Sequence, residues 1–309
     1  MKFYALLLSL FILLTKVAYS QQVADPTGYN PPIHKPEYAT GQGPIIFIDK
    51  AHNNFHTREG RYRSFARLLE RDGYILKDYD GPFEKSKLND GRILVISNAL
   101  HESNISNWVL PNPSAFTADE IEVVREWVFE GGSLFLIADH MPMPGAAEDL
   151  AATFGFEFYN GFAFTESPTG VTGLASFSTE KGNLHENTIT SGRNEHELVT
   201  EIMSFTGQAF QIPNDAQSII DLDNQYIMLL PDTAWRFNSN TKQISVGGWS
   251  QGAYKSYGKG KVVVFGEAAM FSAQVSGPNQ RKMGMNAENA TQNYKLLLNI
   301  IHWLDGKLN

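Results

Sequence analysis

The sequence predicts an α/β domain built on a doubly wound, mostly parallel sheet. Short continuous runs of β-branched and aromatic residues alternate with segments of helical spacing, as expected when parallel strands are buried on both faces. Such runs occupy residues 45–48, 92–97 and 133–138, and a helical pattern follows each of them. Strand, helix and strand in this order indicate right-handed crossovers, which place helices on both faces of the sheet.

The remaining elements follow from local signals along the chain. Residues 58–72 predict a helix that ends at Gly73, the usual position for a C-terminal glycine. Thr117 and Glu120 form the capping-box pattern that opens the next helix. Over residues 160–217 the pattern blurs into Gly, Thr, Ser and Asn, which predicts an irregular excursion. Further strands are predicted at residues 74–77, 218–222, 226–230, 244–247 and 261–265, and further helices at 146–154 and 294–303.

The first twenty residues carry the three parts of a cleavable secretory signal. Lys2 supplies the positive charge, residues 4–14 are apolar except for Ser9, and small residues precede the expected cleavage after Ser20. The apolar run is shorter than the roughly 18 residues that span a bilayer. We therefore expect export to the periplasm or the extracellular space, without membrane attachment after cleavage.

Composition limits what the rest of the chain can do. Residues 21–43 contain four prolines and predict an extended polar arm, and a single domain is expected over residues 44–309. The net charge is −8 and no Lys/Arg-rich run occurs, so the cations that neutralise nucleic-acid phosphates are missing and nucleic acid is not an expected partner. The chain has no cysteine, which excludes a disulfide, a thiolate nucleophile and a Cys-ligated zinc.

Histidine and carboxylate residues follow several of the predicted strands. Because ligands of open α/β sheets bind outside the carboxyl ends of the strands, these residues predict one cleft. Each of them also has an ordinary structural role open to it, as a loop residue or a helix cap. They are His52 and His56 after the first strand, His101 after the third, Asp139 and His140 after the fourth and Glu267 after the last.

Two chemistries fit such a cleft. With one divalent ion, zinc or manganese, the expected ligands are His52, Asp139 and His140, and Glu267 or His56 would take a proton from the bound water. Without a metal, Asp139 and Glu267 form a carboxylate pair for acid/base catalysis, and His140 orients one of them. Both alternatives stay open at this point.

Residues 248–252 read Gly-Trp-Ser-Gln-Gly and match the G-x-S-x-G nucleophile elbow. That motif requires a strand, a sharp turn and then a helix. Only residues 253–259 separate this match from the next predicted strand, and Gly258 lies among them. We therefore expect a hairpin-like connection here, not the active site of a serine hydrolase.

Four stretches carry a family resemblance: a first strand ending in Ile48-Asp49, Gly-Gly-Ser-Leu-Phe-Leu-Ile-Ala-Asp at 131–139, Gly-Lys-Gly-Lys-Val-Val-Val-Phe-Gly-Glu at 258–267, and the final helix at 293–304. Together they resemble the class I glutamine amidotransferase-like superfamily and, within it, the DUF4350-type domains. The resemblance implies a flavodoxin-like three-layer sandwich. Amidotransferases place a cysteine nucleophile after the strand that here ends at Asp139, so glutamine hydrolysis is not expected.

The leading functional interpretation is an exported hydrolase-like protein that acts on a small or carbohydrate-type ligand, with Glu267, His56 and Asp139 as catalytic residues. The alternative is a non-catalytic module that binds a glycan or a protein. In that case the same polar residues would hold the ligand by hydrogen bonds, helped by Trp108, Phe162 or Trp235. The resemblance is compatible with both, because related domains are attached to gliding-motility and intraflagellar-transport proteins.

Overall fold

The computed structural model describes residues 22–25, 27–167 and 170–309, so the predicted signal peptide lies outside the described residues. None of the helices in this part of the chain is long and apolar enough to cross a membrane. The helices are α1 Arg63–Arg71, α2 Lys85–Leu88, α3 Ala118–Glu130, α4 Met143–Thr153, α5 Thr188–Ser191 and α6 Asn293–Asp305. The strands are β1 Val23–Ala24, β2 Ile45–Asp49, β3 Ile75–Tyr79, β4 Ile93–Ser97, β5 Ser133–Ile137, β6 Phe162–Ser167, β7 Gly170–Thr172, β8 Ala175–Ser178, β9 Glu201–Ser204, β10 Gln217–Asp221, β11 Tyr226–Leu230, β12 Lys242–Ser245, β13 Ser250–Tyr257, β14 Gly260–Phe265, β15 Ala273–Ser276 and β16 Arg281–Gly284.

Seven strands form the central sheet in the order β10-β13-β14-β5-β4-β2-β3. Neighbouring strands are parallel from β3 to β14, whereas β13 and β10 extend the sheet in antiparallel fashion. Every residue of β4 and β5 is buried, which explains their continuous apolar sequences. Taken in chain order, the parallel strands follow the flavodoxin-like order 2-1-3-4-5, with the switch point between β2 and β4. The predicted doubly wound, mostly parallel sheet is confirmed.

Helices cover both faces of this sheet. On one face α1 and α6 bury apolar side chains such as Phe65 and Leu297 against Phe135 of β5. On the other face α3 and α4 pack their apolar side chains, Trp127 among them, around Leu134 of the same strand. Consecutive strand residues point to opposite faces, so one short apolar strand supplies both cores. This is the expected three-layer sandwich.

The capping box that opens α3 is also observed. The hydroxyl of Thr117 accepts a hydrogen bond from the Glu120 N–H at 3.3 Å, and a Glu120 carboxylate oxygen accepts one from the Thr117 N–H at 3.0 Å. Helix α1, in contrast, begins at Arg63, five residues later than its spacing predicts. The residues before it form turns, in which the N–H groups of Gly60 and Tyr62 both donate to the carbonyl of Thr57.

The segment over residues 160–217 is more ordered than its composition predicts. Strand β6 pairs with β7 and β11, β11 also pairs with β12, and β8 pairs with β9. The predicted irregular excursion is therefore a pair of small antiparallel sheets joined to the domain. These strands have three to six residues and many polar side chains, so the apolar alternation that marks longer strands is weak.

One other segment differs from its predicted form. Residues 250–257 are a full strand, β13, that forms a hairpin with β14, and no helix follows Ser250, so the nucleophile-elbow geometry is absent. Within the polar arm, strand β1 pairs with β15 near the other end of the chain.

Candidate functional site

The loop after β2 holds His52 between two carboxylates. Its Nδ1 lies 2.9 and 3.0 Å from the two oxygens of Asp49, and its Nε2 lies 2.9 Å from Glu120 at the start of α3. Asn54 donates a further hydrogen bond to Asp49 at 2.6 Å and accepts one from the Ser97 N–H at 3.1 Å. The end of β2, the end of β4 and the start of α3 are thereby joined by side chains.

The two neighbouring carboxylates favour the protonated form of His52. Burial disfavours a charged imidazole, but the hydrogen bonds and negative charges of Asp49 and Glu120 outweigh burial and raise the pKa of His52. With a carboxylate at each ring nitrogen, the protonated ring satisfies both partners. The ring also packs between Phe83 and Phe116, with centroids 4.5 and 4.8 Å away. His52 is therefore a structural centre whose nitrogen atoms are both occupied.

Asn98, directly after β4, joins three loops. Its N–H donates to the Ile137 carbonyl and its carbonyl accepts from the Phe55 N–H, both at 2.9 Å. Its side-chain oxygen accepts from the Asp139 N–H at 2.9 Å, and its side-chain nitrogen donates to Nδ1 of His56 at 3.2 Å. All four polar groups of Asn98 are used, and its backbone adopts a φ of +59°, a left-handed conformation that asparagine tolerates better than most residues.

His56 is almost completely buried. Burial, helped by the positive charge of Arg61, lowers the pKa of His56 to about 3, so the ring is neutral at ordinary pH. Because Nδ1 accepts the hydrogen bond of Asn98, the ring proton is on Nε2. That Nε2 atom is buried and has no hydrogen-bond partner among the described residues. His56 is thus a hydrogen-bond donor and cannot serve as the base that its position predicted.

Asp139 and Glu267 lie at the ends of neighbouring strands, β5 and β14, and influence each other electrostatically. Burial, and then the negative charge of Asp139, raise the pKa of Glu267 well above its ordinary value, although hydrogen bonds from backbone N–H groups act in the opposite direction. Two of those bonds come from Ala269 and Met270, each at 2.8 Å. Glu267 is therefore tied to the turn that follows β14. In the part of the chain that the structure describes, only one oxygen of Asp139 is bound, by the His140 N–H at 2.8 Å.

His140 lies among aromatic rings. Its ring stacks on Phe162 with centroids 4.6 Å apart, meets Trp235 edge-on at 4.7 Å and lies 6.0 Å from Trp108. Nδ1 donates to the Met141 carbonyl at 2.9 Å, so Nε2 of the neutral ring is an acceptor without a partner among the described residues. We call Trp108, His140, Phe162 and Trp235 the aromatic edge.

The predicted residues are only partly brought together. His56, Asp139, His140 and Glu267 surround the ends of β4, β5 and β14, as expected, whereas His52 belongs to a separate network. The predicted metal ligands His52, Asp139 and His140 do not form one set, and the described residues contain no group of three His, Asp or Glu side chains placed to hold a metal ion. His101 is engaged with Ser103 in its own turn, at 2.8 Å.

Several functional or structural residues escaped the sequence interpretation. Asn54 and Asn98 also follow strands directly, so the signal that indicated Asp139 could have indicated them. Glu120 was assigned only to the capping box, because nothing in the sequence shows that its second oxygen reaches back 68 residues to His52. Arg61, which precedes α1, carries no sequence signal of its own.

Comparison with known proteins supports the fold. No protein-family model and no curated protein matches the sequence. The structure is similar to the N-terminal domain of mmIFT52, with a TM-score of 0.58 and 14% identity over 84% of this chain and 96% of that one. Lower TM-scores of 0.45 and 0.44 relate it to a ThuA-like protein from Bacteroides uniformis (12% identity, 86% of this chain and 93% of that one) and to a GMP synthase-like protein from Thermoplasma acidophilum (13%, 86% and 96%). The likeness to the mmIFT52 domain agrees with the α/β fold that the strand order shows, and at 14% identity it extends to the fold alone.

Proposed function

We propose that this chain binds a carbohydrate-type ligand at the aromatic edge. The observation that carries the proposal is the Trp235 indole, which is 50% exposed and lies against the imidazole of His140. Large aromatic rings with one face in solvent and a polar group beside them suit ligands that have both apolar C–H faces and hydroxyl groups. The narrower resemblance to DUF4350-type domains, and export of the chain, are part of the same proposal.

The backbone around Trp235 supports a binding role. Trp235 has a φ of +64°, an uncommon conformation for a bulky residue, which costs free energy and clusters at functional sites. The loop is held in place by two backbone hydrogen bonds at 2.9 Å, from Ala234 to the Trp108 carbonyl and from Leu110 to the Asp232 carbonyl. The two tryptophans of the aromatic edge are therefore positioned by the same pair of loops.

Hydrolysis is the second candidate function, and Asp139 with His140 favours it. His140 Nε2 can accept a proton from a water molecule as the water oxygen adds to an ester or glycosidic carbon. The bond from that carbon to the leaving oxygen then breaks, and this oxygen takes the proton from His140. Asp139, through its unbound oxygen, is the alternative acceptor. This pair replaces the predicted set of Glu267, His56 and Asp139, because Glu267 is tied to backbone N–H groups and His56 is a donor.

The test of binding is a titration of the protein with a panel of neutral and acidic oligosaccharides, read by calorimetry. Trp235→Ala is expected to weaken binding of any saccharide ligand at least 10-fold. Phe129→Ala is the matched control, since Phe129 is 55% exposed but lies near the end of α3, away from the aromatic edge. A panel without any ligand, or equal affinities for the parent and Trp235→Ala, would contradict the proposal.

Hydrolysis is tested separately on nitrophenyl esters and glycosides, with and without a chelator. We expect His140→Ala to remove activity and Glu267→Gln to keep part of it. Activity that is unchanged in both His140→Ala and Asp139→Asn would exclude this second function while leaving saccharide binding intact.

A further inference from the structure

Arg61 is a half-buried arginine that has no acidic partner among the residues the structure describes. Its guanidinium carbon lies 3.7 Å above the centre of the Phe55 ring, and its Nη1 donates to the Phe55 carbonyl at 3.2 Å. No carboxylate in the described part of the chain forms an ion pair with it. Arg58, three residues earlier, is bound to Asp78 at 3.0 Å, so acidic partners are within reach of this loop but do not serve Arg61.

The unused donors of Arg61 form one edge of its guanidinium group. Nε is buried, and neither Nε nor Nη2 makes a hydrogen bond to any described residue. These two N–H groups point in the same direction and fit two oxygens of a carboxylate, sulfate or phosphate. A buried donor left unbound costs about 1–3 kcal/mol, and the contact with the Phe55 ring uses the face of the guanidinium, not this edge.

A second unpartnered donor lies close by. The Nε2 of His56 carries the ring proton and is buried without a partner among the described residues. The His56 ring meets Phe55, whose ring lies beneath the Arg61 guanidinium, at 5.4 Å, and the positive charge of Arg61 acts on it. Phe55 in turn meets Trp108 at 5.6 Å, which places Arg61 beside the aromatic edge.

From this arrangement we propose that Arg61 binds an anionic group of the saccharide, a carboxylate, sulfate or phosphate, with His56 Nε2 as the second donor. This inference rests on the proposed function and names its ligand class, an acidic carbohydrate. Asp139, the acidic residue of the site, accepts a hydrogen bond from the His140 N–H. Asn98 lies between Asp139 and His56, because its side chain bonds to the Asp139 N–H and to Nδ1 of His56. Because the whole chain has a net charge of −8, unspecific attraction of polyanions is weak, and affinity for one must come from a local site.

The experiment measures binding of three acidic polymers, polygalacturonate, chondroitin sulfate and a phosphorylated mannan. Each is paired with a neutral counterpart, made by carboxyl reduction, desulfation or dephosphorylation. Arg61→Gln removes the charge and the paired Nε–H and Nη2–H donors, and Arg61→Lys keeps the charge but loses the paired donors. Arg63→Gln is the matched control, since Arg63 is exposed and donates only to the Glu59 carbonyl among the described residues. Thermal unfolding of each variant checks that it is folded.

We expect one acidic polymer to bind at least 10-fold more tightly than its neutral counterpart. Arg61→Gln should lose that difference and Arg61→Lys most of it, whereas Arg63→Gln should keep it. Neutral and acidic polymers that bind equally well, or an Arg61→Gln variant that binds like the parent, would overturn the inference and leave the proposed function standing. If no polymer of either kind binds, both fall.

Discussion

His52 and Glu120 are 68 residues apart in the chain, yet their side chains are 2.9 Å apart in the structure. Glu120 uses one oxygen to cap its own helix and the other to hold the imidazole, which Asp49 holds from the opposite side. One side chain thus fixes both the start of α3 and the loop after β2. Stability of the whole C-terminal edge of the sheet should depend on it.

Glu120→Gln should lower the free energy of unfolding by about 1–3 kcal/mol at pH 6, because the charged His52 ring stays buried but loses the carboxylate at its Nε2. The pKa of His52 is raised in the folded state, so the stability that the pair contributes is fully present below about pH 6.5 and is lost as pH rises through the raised value. The effect of the substitution should therefore be smaller at pH 9. Urea unfolding at both values measures it, and Glu122→Gln, on the exposed side of α3, should change nothing measurable.

His56 should make the protein sensitive to acid. Its folded pKa of about 3 lies below the unfolded value of about 6.5, so its contribution is present above pH 6.5 and is lost as pH falls. The unfolded chain takes up one more proton over this interval, which lowers the free energy of unfolding by about 1.4 kcal/mol per pH unit. His56→Gln should remove this slope between pH 4 and 6, and His101→Gln should retain it. Equal slopes in the parent and His56→Gln would contradict the buried, neutral state.

Asp139→Asn should change how stability depends on pH through Glu267. The pKa of Glu267 is raised, so its contribution is present below about pH 4.5 and is lost as pH rises through the folded value. Removal of the Asp139 charge lowers the folded pKa of Glu267, so less stability is lost as pH rises. The variant should therefore gain stability relative to the parent between pH 5 and 7. The difference in free energy of unfolding between Asp139→Asn and the parent could instead stay constant over this interval, or the exposed control Asp149→Asn could gain equally. Either result would show that the carboxyls of Asp139 and Glu267 do not interact.

Substitutions at Asn98 should separate its backbone from its side chain. Asn98→Gly keeps the left-handed conformation but loses the bonds to Asp139 and His56, at a cost of about 1–3 kcal/mol. Asn98→Ala adds the cost of a left-handed alanine, about 1–2 kcal/mol. Asn53→Gly, which has a φ of +49° and one side-chain bond, should cost less than either. If glycine and alanine at position 98 were equally stable, the strain argument would fail.

The sequence was a good guide to the central sheet because its buried strands are continuous apolar runs that alternate with segments of helical spacing. Runs such as residues 133–137 are buried on both faces and leave no other interpretation. The short strands between residues 160 and 217 were missed, since their order comes from pairing with distant segments such as β11. Local composition cannot show a partner that lies 60 residues away.

The site was predicted in position more than in chemistry. Residues that directly follow strands were identified, and Asp139 and His140 do lie at the same edge. What a side chain does there depends on its neighbours, which sequence spacing does not reveal. Two carboxylates make His52 a charged structural group, whereas complete burial makes His56 neutral. Two histidines four residues apart thus have opposite electrostatic roles.

Asn98 has one further consequence, for the thermodynamics of ligand capture. Because its four polar groups hold the loops after β2, β4 and β5 together, the entropy of ordering these loops is lost when the chain folds and not when a ligand arrives. A saccharide that docks on this edge would meet a preorganised surface, and little of its interaction energy would be spent on arranging the protein. Free and ligand-bound forms should therefore have nearly the same backbone, and selectivity should come from fit, not from loop closure.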